Sequence, residues 1–561
     1  MLISVLLPAL YVCLQMYNYQ IIPLKFLLTV LNATEAIPFS PIVEMVMVIV
    51  IFDILREANL RMPSAVGISL SLVGAIVLGD AAVKAGLIGA PAVMIGALSG
   101  IGLFTMPDDT LVLSVLRIVI TVVGGLTGIL GVTLCMLVIL IYLTSLQTNH
   151  APFLAPYAPD VTRCRVSKSR AATGTPPRKH SQCQQDKEGL TMDKERVTVG
   201  QLALMLMLVI AGGKFLGLPG ILAGNVGHDS WLVLCVGFVA DGICLCFLLW
   251  AMRINRSACL PVNLVLDVTL GKVVSKIIMC IFFLVFTSRM IVLLSSCYKM
   301  FAVTFDVNTN WVLFALPVAA VSVFALARGF TSIARVSQLL FVPVTLSVLA
   351  MVANPLVSSH WTGLLPVAEA GWDNILVTAL RQGYWFSDYL FVYFVLDKVR
   401  MGKRLFGPVI SVFVAGAVIT VLTNIVFVTL YGSFAEHFDP AMSKLGVFSS
   451  GAGASGRWDW LTLSLWVTSV LLKITLFFYC AYKSLEKIFG LRHDKINLIA
   501  VTVIVLLTML PMVVSSRRFA EGFLAYAVVP FALVQYVLPL LYPLLNKIAV
   551  DKTSGGVHER A

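Results

Sequence analysis

Ile210-Ala211-Gly212-Gly213-Lys214-Phe215-Leu216-Gly217-Leu218-Pro219-Gly220 lies within an apolar run that is otherwise long enough to cross a bilayer as a helix. Four glycines and a proline within nine residues weaken a helix there, because glycine frees the backbone and proline removes a donor. In hydrocarbon such a break is tolerated where it lines a cavity, and the freed N–H and C=O groups then face a polar ligand. Close helix packing through small residues is the competing reading. The position of this run, as the first span of a long series, favours a ligand site made by Gly212, Gly213, Lys214, Phe215 and Gly217.

The rest of the chain fits that setting. Of 561 residues 59% are hydrophobic and only 12% charged, more apolar surface than a soluble fold hides. Apolar stretches of roughly 18 to 25 residues recur, whereas barrel strands would alternate in runs of about ten. The net charge of +12 is spread over loops, so basic cytoplasmic loops explain it better than nucleic acid does. Eleven cysteines, mostly inside apolar segments, form no CxxC pair, and the seven histidines form no HExxH motif. Nothing in the pattern points to an enzyme, a bound metal or a cofactor. The first apolar run, Met1 to Tyr17, lacks the basic leader of a signal peptide and reads as a spanning helix.

Composition breaks once, between about Asp160 and Val197, where Arg163, Arg165, Lys168, Arg170, Arg178, Lys179, Lys187, Lys194 and Arg196 replace the apolar runs. We read 161–197 as a disordered cytoplasmic linker between membrane domains at 1–160 and 198–549, with a cytoplasmic tail at 550–561. Ten spans are predicted in the second domain, near 199–222, 229–251, 273–298, 310–327, 336–353, 377–396, 406–431, 459–482, 496–514 and 522–546. The loop charges support this count. Alternate loops carry Arg253/Arg256/Lys272/Lys276, Arg328/Arg335, Lys398/Arg400/Lys403/Arg404 and Lys483/Lys487/Arg492/Lys495, while the opposite ones hold fewer, Lys299, Lys444, Arg457, Arg517 and Arg518. The first domain has apolar runs near 1–18, 65–87, 90–106 and 110–146. The last is either one helix or two, bent at Gly124-Gly125-Leu126-Thr127-Gly128, and Pro38-Phe39-Ser40-Pro41 with Ile42 to Leu55 forms either a shallow helix or a crossing. The expected fold is therefore an all-α polytopic membrane protein, an N-terminal bundle of about four to six transmembrane helices followed by a ten-helix second domain.

A few charges are stranded deep inside the predicted spans of the second domain, among them Lys214, Asp241, Arg289, Asp388 and Lys473. Each costs roughly 2.5 to 3.5 kcal/mol at mid-membrane unless paired or hydrated. Two readings stand for Lys214. It pairs with Asp241 or Asp388, as Arg289 does, or it replaces a bound cation or attracts a ligand carboxylate beside the broken backbone. In the sixth span, Gln382-Gly383-Tyr384-Trp385-Phe386-Ser387-Asp388 falls where a five-plus-five inverted repeat places its second break, so Tyr384, Ser387 and Asp388 join the candidate ligand site. An interfacial aromatic belt accounts equally well for Trp385. In the first domain Asp53, Arg56 and Glu57 share one helical face and are expected to pair.

Several motifs carry a family resemblance. Pro38-Phe39-Ser40-Pro41, Phe52-Asp53-Ile54-Leu55-Arg56-Glu57-Ala58, Leu60-Arg61-Met62-Pro63 and Phe153-Leu154-Ala155-Pro156-Tyr157-Ala158-Pro159 resemble the membrane region of the GerA-type spore germination receptor A subunit. Gly213 to Pro219, Gly329-Phe330-Thr331-Ser332-Ile333-Ala334-Arg335, Leu364-Leu365-Pro366-Val367, Trp458-Asp459-Trp460 and Leu472-Lys473-Ile474 resemble the B subunit, an endospore germination permease of the amino acid, polyamine and organocation superfamily. The resemblance implies a five-plus-five inverted-repeat permease fold and residence in the inner membrane of a bacterial spore. It also implies a role in sensing a nutrient germinant, an amino acid, with secondary amino acid transport as the alternative. The implied partners are the lipid bilayer and other receptor subunits in an oligomer: a soluble A-type domain, which precedes this membrane region in the family, and a C-type lipoprotein.

Overall fold

The computed structural model describes residues 2–17, 22, 24–35, 37–61, 81–103, 110–148, 151–154, 197–254, 260–305, 311–359, 361–400, 405–438, 440–450, 459–490, 497–513 and 530–558. Most of the apolar run at 65–87, the motif at 155–159, the linker up to residue 196, Trp458 and the start of the tenth predicted span lie outside them. The described residues are almost entirely helical, and seven of their helices are long and apolar enough to cross a membrane. Large apolar side chains point outward along these helices, among them Val273, Ile277, Leu346 and Val418, each more than half exposed. A surface of that kind suits lipid and not water. The chain divides into two compact units: Met1–Leu137 with Val303–Val307 and Gly446–Ser464, and Val138–Ala302 with Asn308–Leu445 and Leu465–Ala561.

In the first unit, α1 (Leu2–Met16) packs on α4 (Ala90–Leu103) and α5 (Thr110–Thr127), α2 (Leu24–Thr34) touches α4, and α3 (Pro41–Arg61) packs on α1, α4 and α5. Val12, Met45, Val48, Ile49, Ile88 and Ala92 form its apolar centre. The Pro41–Arg61 stretch is one continuous helix of 21 residues and is not among the seven long, apolar helices. The expected bend is present, because Gly128 at φ +68° separates α5 from α6 (Ile129–Ser145). Asp53 and Arg56 pair at 3.5 Å as their spacing predicts. The closer partner of Asp53 is the fully buried Arg117, at 2.8 Å, which also donates to Ser99 at 2.9 Å.

The second unit opens with a capping box, in which Thr198 Oγ1 accepts from the Gln201 amide and Gln201 Oε1 accepts from the Thr198 amide. Just ahead of it, Val197–Thr198 runs parallel to Val399–Arg400 in a two-residue ladder. Helix α7 (Val199–Ala211) stops at Gly212, and the chain resumes as α8 (Leu218–Val226) with proline in its first turn. The first predicted span is thus two half-helices with an unwound joint at 212–217. There follow α9 (Ser230–Ile254), α10 (Val262–Leu270), α11 (Lys272–Phe305), α12 (Trp311–Arg328), α13 (Phe330–Ser358) and α14 (Trp372–Arg381).

The sixth predicted span, 377–396, is not an α-helix. After α14 the chain tightens into 3-10 turns at Gly383–Trp385, Asp388–Phe394 and Leu396–Lys398, with Ser387 left-handed at φ +61°. Helices α15 (Phe406–Tyr431), α16 (Ala441–Ser450), α17 (Asp459–Phe489), α18 (Leu498–Val513) and α19 (Leu538–His558) follow. Helix α15 packs on α7, with Gly416 beside Met207 and Ile210. Helix α17 is buried along nearly its whole length and forms the central post of the unit.

Candidate functional site

Unwinding at 212–217 frees backbone groups that α7 and α8 cannot satisfy. The Phe215 and Leu216 carbonyls accept from the Met442 and Ala441 amides at 3.3 and 3.1 Å, at the start of α16. Trp466 of α17, fully buried, donates its indole N–H to the Ala211 carbonyl at 3.1 Å, and the Phe215 ring lies against it. The Trp466→Phe variant removes this bond and also shrinks a fully buried ring, so bond and cavity together are expected to cost about 2 to 3 kcal/mol. A melting temperature in lipid nanodiscs a few degrees below wild type would register that loss; an unchanged one would mean the bond adds nothing.

With its backbone so held, the joint aims Lys214, 1% exposed, at the 3-10 segment. Its ammonium bonds Asp388 Oδ2, and Lys473 from α17 reaches Asp388 Oδ1 at 2.8 Å. The rings of Phe238 and Phe386 flank the Lys214 ammonium at 5.2 and 5.4 Å. Ser387 is gripped from two sides. Asp241 of α9 accepts from its amide at 2.7 Å and its hydroxyl at 3.3 Å, while Arg289 of α11 donates to its carbonyl at 3.1 Å. This grip holds the uncommon left-handed conformation of a non-glycine residue.

Beside the network is a small hollow of about 20 Å³. Its polar lining is Tyr384, Asp388, Arg289 and Lys473, and its apolar lining is Val292, Leu293, Trp385 and Phe477. Two of the expected ligand-site residues, Tyr384 and Asp388, therefore border it, together with two of the expected network charges. Gly213 stands directly behind the wall: a Cβ built there falls 2.8 Å from Leu293 Cδ2 and 3.0 Å from Lys473 Nζ. Lys214 and Ser387 belong to the ion network and do not border the hollow. Gly212 faces Ser469 of α17, Phe215 lies on Trp466, and Gly217 precedes α8, so these three form the joint and not the lining. Lys214 is paired with Asp388, one of the two carboxylates the pairing reading named. Trp385 is 7% exposed inside the unit, which removes the interfacial-belt reading. The apolar lining and Trp466 went unnoticed in the sequence because a leucine, valine or aromatic at helical spacing looks like any core residue.

A helical membrane bundle whose first and sixth spans both break over buried ion pairs has the design of a permease-type protein. The chain belongs to the spore germination permease family, for residues 196–516 match the family described as "Spore germination protein". Residues 1–173 match a second family, "Bacillus/Clostridium GerA spore germination protein". Similar proteins include the uncharacterized membrane protein YfkQ of Bacillus subtilis (strain 168), 36% identical over 28% of this chain and 31% of its own length. Spore germination protein KA of the same organism is 35% identical over 28% of this chain and 29% of its own, and spore germination protein XA of Bacillus anthracis 36% over 28% and 33%. The chain spans about a third of the length of these relatives. It is a multi-pass integral membrane protein of the spore's inner membrane, and neither family is one of enzymes.

Proposed function

We propose that the chain is a germination receptor component that senses a nutrient germinant, an amino acid, at the hollow that the sixth-span 3-10 segment forms with α11 and α17. An A-type membrane domain at 1–160 is joined by the 161–197 linker to a permease domain at 198–549, and partner subunits, a soluble A-type domain and a C-type lipoprotein, complete an oligomeric receptor. What supports the reading is one observation: within a chain of a germination permease family, the 3-10 segment lines a charged, aromatic-walled hollow, and the unwound joint is tied to that lining through the Lys214–Asp388 pair.

The size of that hollow bears on mechanism. About 20 Å³ accommodates roughly one water molecule, and an amino acid needs several times that room. Binding therefore requires the walls to part, and the ligand favours whichever conformation has them apart. The 3-10 segment is the wall suited to move, because its turns are less well hydrogen-bonded than an α-helix.

Secondary amino acid transport uses the same broken-span design, and one experiment separates the two. The full chain in proteoliposomes is incubated with labelled amino acids, and both bound and internalised label are measured. Sensing predicts saturable binding with uptake no greater than that of empty vesicles. Saturable, protein-dependent uptake would move the assignment to transport.

A further inference from the structure

The hydrogen bonds around Arg289 are unequal. Its Nη1 donates to the Ser387 carbonyl, but Nε and Nη2 have no hydrogen-bond partner among the described residues, although the side chain is only 6% exposed. Unsatisfied donors on a buried cation are costly, and more so at membrane depth than in water. Arg289 also borders the hollow. The other two cations of the cluster are committed, since Lys214 and Lys473 both hold Asp388. Three cationic side chains (Lys214, Lys473, Arg289) thus face two carboxylates (Asp241, Asp388), leaving one positive charge in excess.

We propose that Arg289 anchors the carboxylate of the ligand, its unpartnered Nε–H and Nη2–H forming the two-pronged donor that a carboxylate fits. The Nε–H and one Nη–H of a guanidinium lie parallel in a plane, and a carboxylate offers two coplanar oxygens at the matching spacing. One such group satisfies both idle donors and offsets the excess charge. The assignment rests on the nutrient-site reading above and adds a chemical requirement, namely that the ligand is recognised through a free carboxylate. A lysine would supply the charge without the planar fork.

The test uses the full wild-type chain in lipid nanodiscs and needs no variant for its first arm. Binding of the common L-amino acids is compared by calorimetry with binding of their carboxamides, which keep the ammonium and side chain and lose the carboxylate charge. Every acid that binds is expected to do so at least about tenfold more tightly than its amide, the size of one to two charge-assisted hydrogen bonds. The second arm uses Arg289→Gln and Arg289→Lys, with thermal melting to show that each is folded. Arg289→Gln is expected to weaken the acid at least about tenfold and to close most of the gap between acid and amide, and Arg289→Lys to fall between. Equal affinity for acid and amide in the wild-type chain overturns the anchor and leaves the nutrient site standing, as does a folded Arg289→Gln that binds the acid like wild type. Absence of any amino acid binding to the wild-type chain overturns the nutrient site and the anchor with it.

Discussion

Asp388→Asn is expected to lower the stability of the membrane-embedded protein by about 3 to 5 kcal/mol, the cost of stripping a buried ion pair of one partner. The effect is large because a single carboxylate serves two ammonium groups: Lys214 from the joint of the first span and Lys473 from the central helix α17 both end on it. Both lysines are at most 3% exposed, so neither finds water when the carboxylate becomes an amide. Thermal melting in nanodiscs measures the loss. A compensated variant sharpens the test: combining Asp388→Asn with Lys473→Met removes one of the stranded charges and should recover part of the deficit. A melting temperature within a degree of wild type for Asp388→Asn alone would show that the lysines are held by something other than this pair.

The second large effect is steric. Gly237 of α9 faces the Phe386 ring so closely that a Cβ there would overlap three of its carbons. Phe386 is fully buried, edge-on to Phe238 at a centroid distance of 5.6 Å and beside the Lys214 ammonium, so the ring has no free direction in which to retreat. Gly237→Ala is accordingly expected to cost about 1 to 3 kcal/mol through overpacking, although glycine to alanine inside a helix ordinarily gains about 1 kcal/mol. The sign is therefore diagnostic. Gly407→Ala, near the start of α15 where nothing lies within 4 Å, serves as the control and should be neutral or stabilising. If Gly237→Ala stabilised the protein as well, the close approach of α9 to the sixth-span segment would be wrong.

The joint at 212–217 was legible in the sequence because glycine and proline act on the backbone of their own segment, whatever surrounds it. The stranded charges were legible for a similar reason, as an ion in hydrocarbon stands out against its apolar neighbours. Which charge meets which was not. Lys214 had two candidate carboxylates, and the choice of Asp388 depends on α9, α17 and the 3-10 turns coming together across more than 170 positions of sequence. Predicting a helix at 377–396 had a specific cause: the run from Tyr389 to Phe394 is apolar and aromatic throughout, and hydropathy registers membrane depth without distinguishing an α-turn from a 3-10 turn. The Asp241 and Arg289 contacts that stabilise the left-handed Ser387 come from distant helices, and no local pattern announces them.

The short ladder between Val197–Thr198 and Val399–Arg400 acts as a clasp. It fastens the threshold of one interrupted span to the outlet of the other, so both interrupted stretches hang from a common mooring on one side of the bundle. A tug at that mooring is shared between them at once, by main-chain bonds that do not depend on which side chains fill the hollow. Main-chain hydrogen bonds thereby join the segment that leads toward the first interrupted stretch to the one that leaves the second.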